Sequence, residues 1–94
     1  MSIRLTSRAS VPPDVLIQEL QGESVLLNLR TGRYFGLDSV GTRMWMALTT
    51  AESLQAACDS LLGEYEVEQE RLQQDLRDLV EKLVERGLVE VNGA

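Results

Sequence analysis

Histidine is absent from the 94 residues, cysteine occurs once, proline twice and aromatic residues make up only 4%. Without histidine there is no imidazole to move a proton near neutral pH and no histidine-ligated metal. Ser-His and Cys-His nucleophilic pairs are excluded for the same reason. A lone cysteine, Cys58, forms no internal disulfide and belongs to no zinc or iron-sulfur ligand set. It sits in an apolar helical pattern and reads as a small buried hydrophobe. No Gly-rich phosphate loop, dinucleotide fingerprint or G-x-S-x-G elbow occurs. No apolar run approaches the ~20 residues of a membrane helix, and the first residues lack the apolar core of a signal peptide. These absences lead to a cytoplasmic binding module, not an enzyme, with no cofactor, no metal and no membrane partner.

Cationic surface is scarce too. The net charge is −6, and residues 64–90 hold nine Asp/Glu against four Lys/Arg. The spacing of these carboxylates among Lys and Arg, as at Asp78 and Lys82, is that of a solvated helix face. Phosphate-backbone binding needs a cationic face, so nucleic acid is excluded as a partner.

What is present is one domain's worth of alternating patterns. Residues 1–13 are polar and end in Pro12-Pro13, which predicts a flexible N-terminal arm ahead of a domain over 14–91. "DVLIQEL" (14–20) and "SVLLNLR" (24–30) read as strands. In the second, Val25, Leu27 and Leu29 alternate with Ser24, Leu26 and Asn28, and the apolar trio is the expected buried face. Thr31-Gly32 reads as a two-residue hairpin turn into a third strand, "RYFGL" (33–37). Asp38 is the expected N-cap of a first helix, and Thr49 with Glu52 the expected capping box of a second, which runs to Leu62. A third helix spans 67–86 and stops at Gly87, with a short extended piece at 88–91. The fold class is therefore α+β: a three-stranded antiparallel sheet followed by a three-helix bundle, winged-helix-like.

Two features point to binding. Leu72, Leu76, Leu79 and Leu83 form a stripe about 60° wide on the third helix, enough for packing. Val80 and Val84 widen it on one side, and Asp75, Lys82 and Arg86 line the other. Either the valines pack on the second helix or one flank borders a groove. In a three-strand meander the third strand has one unpaired edge, and here Arg33 is its only charge and no proline interrupts it. An extended peptide can add there as a further strand. Four or five backbone hydrogen bonds at ~0.5–1.5 kcal/mol each, with one or two buried side chains at ~1.5–3 kcal/mol, suffice for nanomolar to micromolar affinity. The competing occupants are the N-terminal arm and a second copy of the chain, which would make a homodimer.

The run "LLNLRTGRYFGLDSVGTRMW" (26–45), followed by two helices and "LVERGLVEV" (83–91), resembles the PqqD-like family of peptide-recognition elements. The T-G-x-Y-[FY]-x-L-[DN] segment and the G-x-R-x-W that follows carry the resemblance. It implies that a precursor's leader peptide docks beside the third strand and against the third helix. The site residues implied are Arg33, Tyr34, Phe35, Gly36 and Leu37 on the strand, with Asp75, Leu76, Leu79, Val80, Lys82 and Leu83 on the helix. The wording of the turn is most similar to stand-alone leader-binding proteins of lasso-peptide pathways. These present the precursor to a leader peptidase or another modifying enzyme. The alternative within the family is the PQQ-pathway chaperone, which delivers its precursor to a radical-SAM enzyme.

Overall fold

The computed structural model describes residues 6–92. Strand β1 (Arg8–Ser10) is followed by the hairpin strands β2 (Val15–Leu20), β3 (Glu23–Asn28) and β4 (Arg33–Leu37). Helices α1 (Ser39–Thr50), α2 (Leu54–Leu62) and α3 (Gln69–Glu85) come next, and β5 (Glu90–Asn92) ends the chain. β2, β3 and β4 form an antiparallel sheet in that order, as expected for the α+β class. A second, two-stranded sheet pairs β1 with β5. The described part of the expected arm thus lies on the body: Ser7 and Ala9 are buried, and the Leu54 amide donates to the Ser7 carbonyl at 2.8 Å. Residues 1–5 of that arm lie outside the described residues.

The hairpin turns differ from expectation. The two-residue turn joins β2 to β3 at Gln21-Gly22, where φ is positive at both residues (54° and 84°), as such a turn requires. Between β3 and β4 the loop is longer, residues 29–32, with Asn28 opposite Arg33. The Asn28 side-chain oxygen accepts from the Arg30 amide at 2.9 Å and holds this loop, and Gly32 closes it at φ 74°. The second helix also starts differently. The hydroxyls of Thr49 and Thr50 turn back to the Trp45 and Met46 carbonyls, at 2.9 and 2.7 Å, so α1 runs on to Thr50 and no capping box forms. Ser53 is the N-cap of α2, accepting from the Ala56 amide at 3.1 Å. Asp38 caps α1 as expected, through the Gly41 amide at 2.7 Å.

The buried face of β3 is the reverse of the apolar trio. Ser24, Leu26 and Asn28 point inward, and Val25 and Leu29 are exposed. Burying polar side chains is tolerated where their hydrogen bonds are made. Ser24 Oγ lies 2.7 Å from Thr42 Oγ1, and Asn28 Nδ2 donates to the Gly87 and Arg86 carbonyls at 3.1 and 3.3 Å. Leu26 fills the space between them, beneath Trp45, Leu37, Leu83, Leu88 and Val89. A second cluster lies between the helices, around Leu48, Leu61, Leu72, Leu76 and Val80. Cys58 belongs to it, and burial pushes its thiol above the ordinary range, with Asp59 adding to the shift. The Ser24-Thr42 pair predicts strong coupling. Thr42→Val alone should cost about 1–3 kcal/mol by orphaning Ser24, whereas Thr42→Val with Ser24→Ala should restore most of it. Urea denaturation of both variants checks this, and simple additivity would show that the hydroxyl pair is energetically idle.

Candidate functional site: the β4 edge and its groove

β4 pairs only with β3, so its other side is an unpaired sheet edge among the described residues. The described part of the N-terminal arm does not cover it, because β1 is paired with β5 instead. Strand alternation sends Phe35 and Leu37 toward the helices and Tyr34 and Gly36 to the outer face. Leu37 is buried, Phe35 is half-buried and Tyr34 is 72% exposed.

Along this edge runs a groove of about 490 Å³ between β4 and α3. Its strand side is Phe35, Gly36, Leu37 and Asp38, closed at one end by Gly41 of α1. Its helix side is Asp75, Asp78, Leu79 and Lys82. Leu79 is half-buried and packs against both core clusters, so it forms an apolar floor anchored to the core. The guanidinium of Arg86 lies 5.1 Å from the ring centre of Phe35, which lines the groove.

The structure brings together Phe35, Gly36, Leu37, Asp75, Leu79 and Lys82 of the residues expected here. Leu76, Val80 and Leu83 are instead sealed in the core, each no more than 1% exposed, and support the groove from behind. The reason is rotational: Leu76 and Leu83 lie on the side of the stripe toward Val80, which packs into the cluster shared with α2, whereas Leu79 is the stripe's edge toward β4. Tyr34 is directed away from α3, onto the outer sheet face, where it stands opposite Leu27 of β3. Arg33 sits at the start of the edge, beside a second hollow of about 780 Å³ that Arg30 and Arg86 also line. Asp38, Gly41 and Asp78 were not expected in the site. Asp78 was legible in principle, since it shares the flank of Asp75 and Lys82; Asp38 and Gly41 enter through the strand-to-helix turn.

The groove contains carboxylates, one amine and apolar surface, but no nucleophile paired with a base. Among the described residues no group of three or more His, Cys, Asp or Glu is arranged to hold a metal ion, and no helix is long and apolar enough to cross a membrane. Hydrogen-bonding backbone on one wall and an apolar floor on the other define a peptide-docking type of site on a small α+β domain.

Comparison with known proteins agrees with this architecture. Residues 23–89 match the family described as Coenzyme PQQ synthesis protein D, and the chain belongs to the PqqD family. TbiB1, solved in complex with the TbiA(β) leader peptide, is 36% identical, with 86% of this chain and 94% of that chain covered and a TM-score of 0.81. A lasso peptide synthetase B1 complexed with its leader peptide is 26% identical, with 88% and 98% covered and a TM-score of 0.79. No curated protein sequence matches the chain.

Proposed function

We propose that this chain is a non-catalytic leader-binding protein of a lasso-peptide-type pathway. It takes the leader of a precursor peptide as an added strand along β4, over the α3 groove, and presents it to a leader peptidase. The observation that carries this reading is the unpaired β4 edge lying directly beside a groove floored by Leu79. Backbone pairing gives affinity with little regard to sequence, and side chains that reach Phe35, Leu37 and Leu79 supply selectivity. Support comes from the two solved relatives, both held with leader peptides. The family's description favours a second reading, a PQQ-type chaperone serving a radical-SAM enzyme through the same groove. The likeness to the lasso peptide synthetase B1 favours the first.

An NMR titration of labelled protein tests the docking. The ligands are the synthetic TbiA(β) leader peptide and the leader peptide bound by the lasso peptide synthetase B1. Amide shifts are expected at residues 33–37 and along the Asp75–Lys82 flank, with α2 unmoved. No shifts from either peptide at about millimolar concentration, a Kd threshold near −4 kcal/mol, would overturn the reading.

A further inference from the structure

Both walls of the groove carry the same charge gradient. On α3 the flank that faces the edge reads Asp75, Asp78, Lys82, Arg86 in order. The opposite wall reads in the matching sense: Asp38 lies at the end shared with Asp75 and Asp78, and Arg33 at the end shared with Arg86. Asp75 and Arg86 are about three helical turns apart, roughly 16 Å, which is the span of about five extended residues. Carboxylates therefore gather at one end of the track and cations at the other, although the chain as a whole is acidic.

The cationic end is available to a ligand. Among the described residues the ion pairs are Arg30 with Asp14, at 3.1 Å, and Arg43 with Glu64. Among the described residues neither Arg33 nor Arg86 has a carboxylate partner, and Arg86 stacks on Phe35. Glu85 and Glu90 line the same hollow as Arg33 and Arg86 but form an ion pair with neither, and Arg30 there is paired with Asp14. At the other end Asp78 accepts only from Gln74, at 2.9 Å, and Asp75 is exposed.

We infer that the groove reads the order of charge along a bound strand, taking a carboxylate side chain of the peptide at Arg33 and Arg86 and a cationic one at Asp75 and Asp78. This rests on strand addition at β4, and it adds the direction and register of the strand. Backbone pairing alone permits a strand to slip by two residues without changing which face is buried. Charges of opposite sign at the two ends disfavour both alternatives: reversal brings like charges together, and a two-residue slip moves each charge off its partner.

A charge scan tests it. Glutamate is placed at each position of the TbiA(β) leader peptide in turn, then lysine, and affinities are measured by fluorescence anisotropy. The protein is used unaltered, as Arg33→Glu and as Asp75→Lys, both changes being at exposed positions. One end of the docked segment should gain about three- to tenfold from glutamate, and the other a similar factor from lysine. Arg33→Glu should abolish the first preference, since the new carboxylate stands beside Arg86, and leave the second; Asp75→Lys, beside Asp78, should do the reverse. Both gains should shrink at high salt. A flat scan, or gains that neither variant moves, while the parent peptide still binds, would overturn the charge reading alone. No binding of the parent peptide to the unaltered protein would remove strand addition and this inference together.

Discussion

Leu79→Glu is expected to weaken leader binding by about 100-fold or more, equivalent to roughly 2.7 kcal/mol, while the protein stays folded. Leu79 is the apolar floor of the groove and touches both core clusters, yet it is only half-buried. A docked apolar side chain contributes ~1.5–3 kcal/mol by leaving water, and a carboxylate beneath it would have to be desolvated as well. In the free protein the same carboxylate reaches solvent, beside Lys82 on the groove rim. Thermal melting should therefore show a loss of a few degrees at most, whereas anisotropy with the TbiA(β) leader shows the large effect. Leu79→Ala is the graded control, with a loss of about tenfold from removing contact area only. An affinity for Leu79→Glu within twofold of the parent would mean that the peptide does not lie over α3.

Asn28→Ala should cost about 2–4 kcal/mol, with a fall in Tm of roughly 10–20 °C. Asn28 is buried and works in two directions. Its amide donates to the Arg86 and Gly87 carbonyls, and its oxygen accepts from the Arg30 and Thr31 amides. One side chain thus ties the β3–β4 loop to the end of α3, which are the two walls of the groove at its cationic end. Alanine leaves those carbonyls and amides short of partners in a partly buried place. Gly87 is part of the same lock. It holds φ 70°, and a Cβ there would stand 2.8 Å from the Asn28 amide nitrogen. Calorimetry of Asn28→Ala measures the cost, and a Tm within about 3 °C of the parent, under 1 kcal/mol, would show that water replaces these bonds without penalty.

Much of the fold was legible because it depends on local rules. The strand-strand-strand-helix order followed from alternation, then from a 3.6-residue period, and from Asp38 and Gly87 as start and stop. The inverted face of β3 was not legible. Alternation marks two faces and leaves open which is inside, and the apolar set was the natural choice. Partners remote in sequence reversed it: Thr42 for Ser24, and the carbonyls after α3 for Asn28. On β4 alternation did set Tyr34 on the face opposite Phe35 and Leu37, and it lies there beside Leu27. The strand pairing of residues 8–10 was not legible for a similar reason, since the partner strand β5 lies at the far end of the described chain.

For the site, the residue order alone determined that a third strand with an open side exists and that α3 carries a leucine stripe with two unlike flanks. Those are statements about neighbours in sequence and about helical angle. Which flank faces the strand was decided only in three dimensions. Val80 is drawn into the cluster shared with α2, which turns Asp75, Asp78, Leu79 and Lys82 toward β4. A helix can be rotated about its axis at little local cost, so its orientation is set by the packing of everything around it. The charge gradient along the groove has the same origin. Arg33 and Arg86 are far apart in the chain, and only the closing of the sheet onto α3 brings them to one end of a single track.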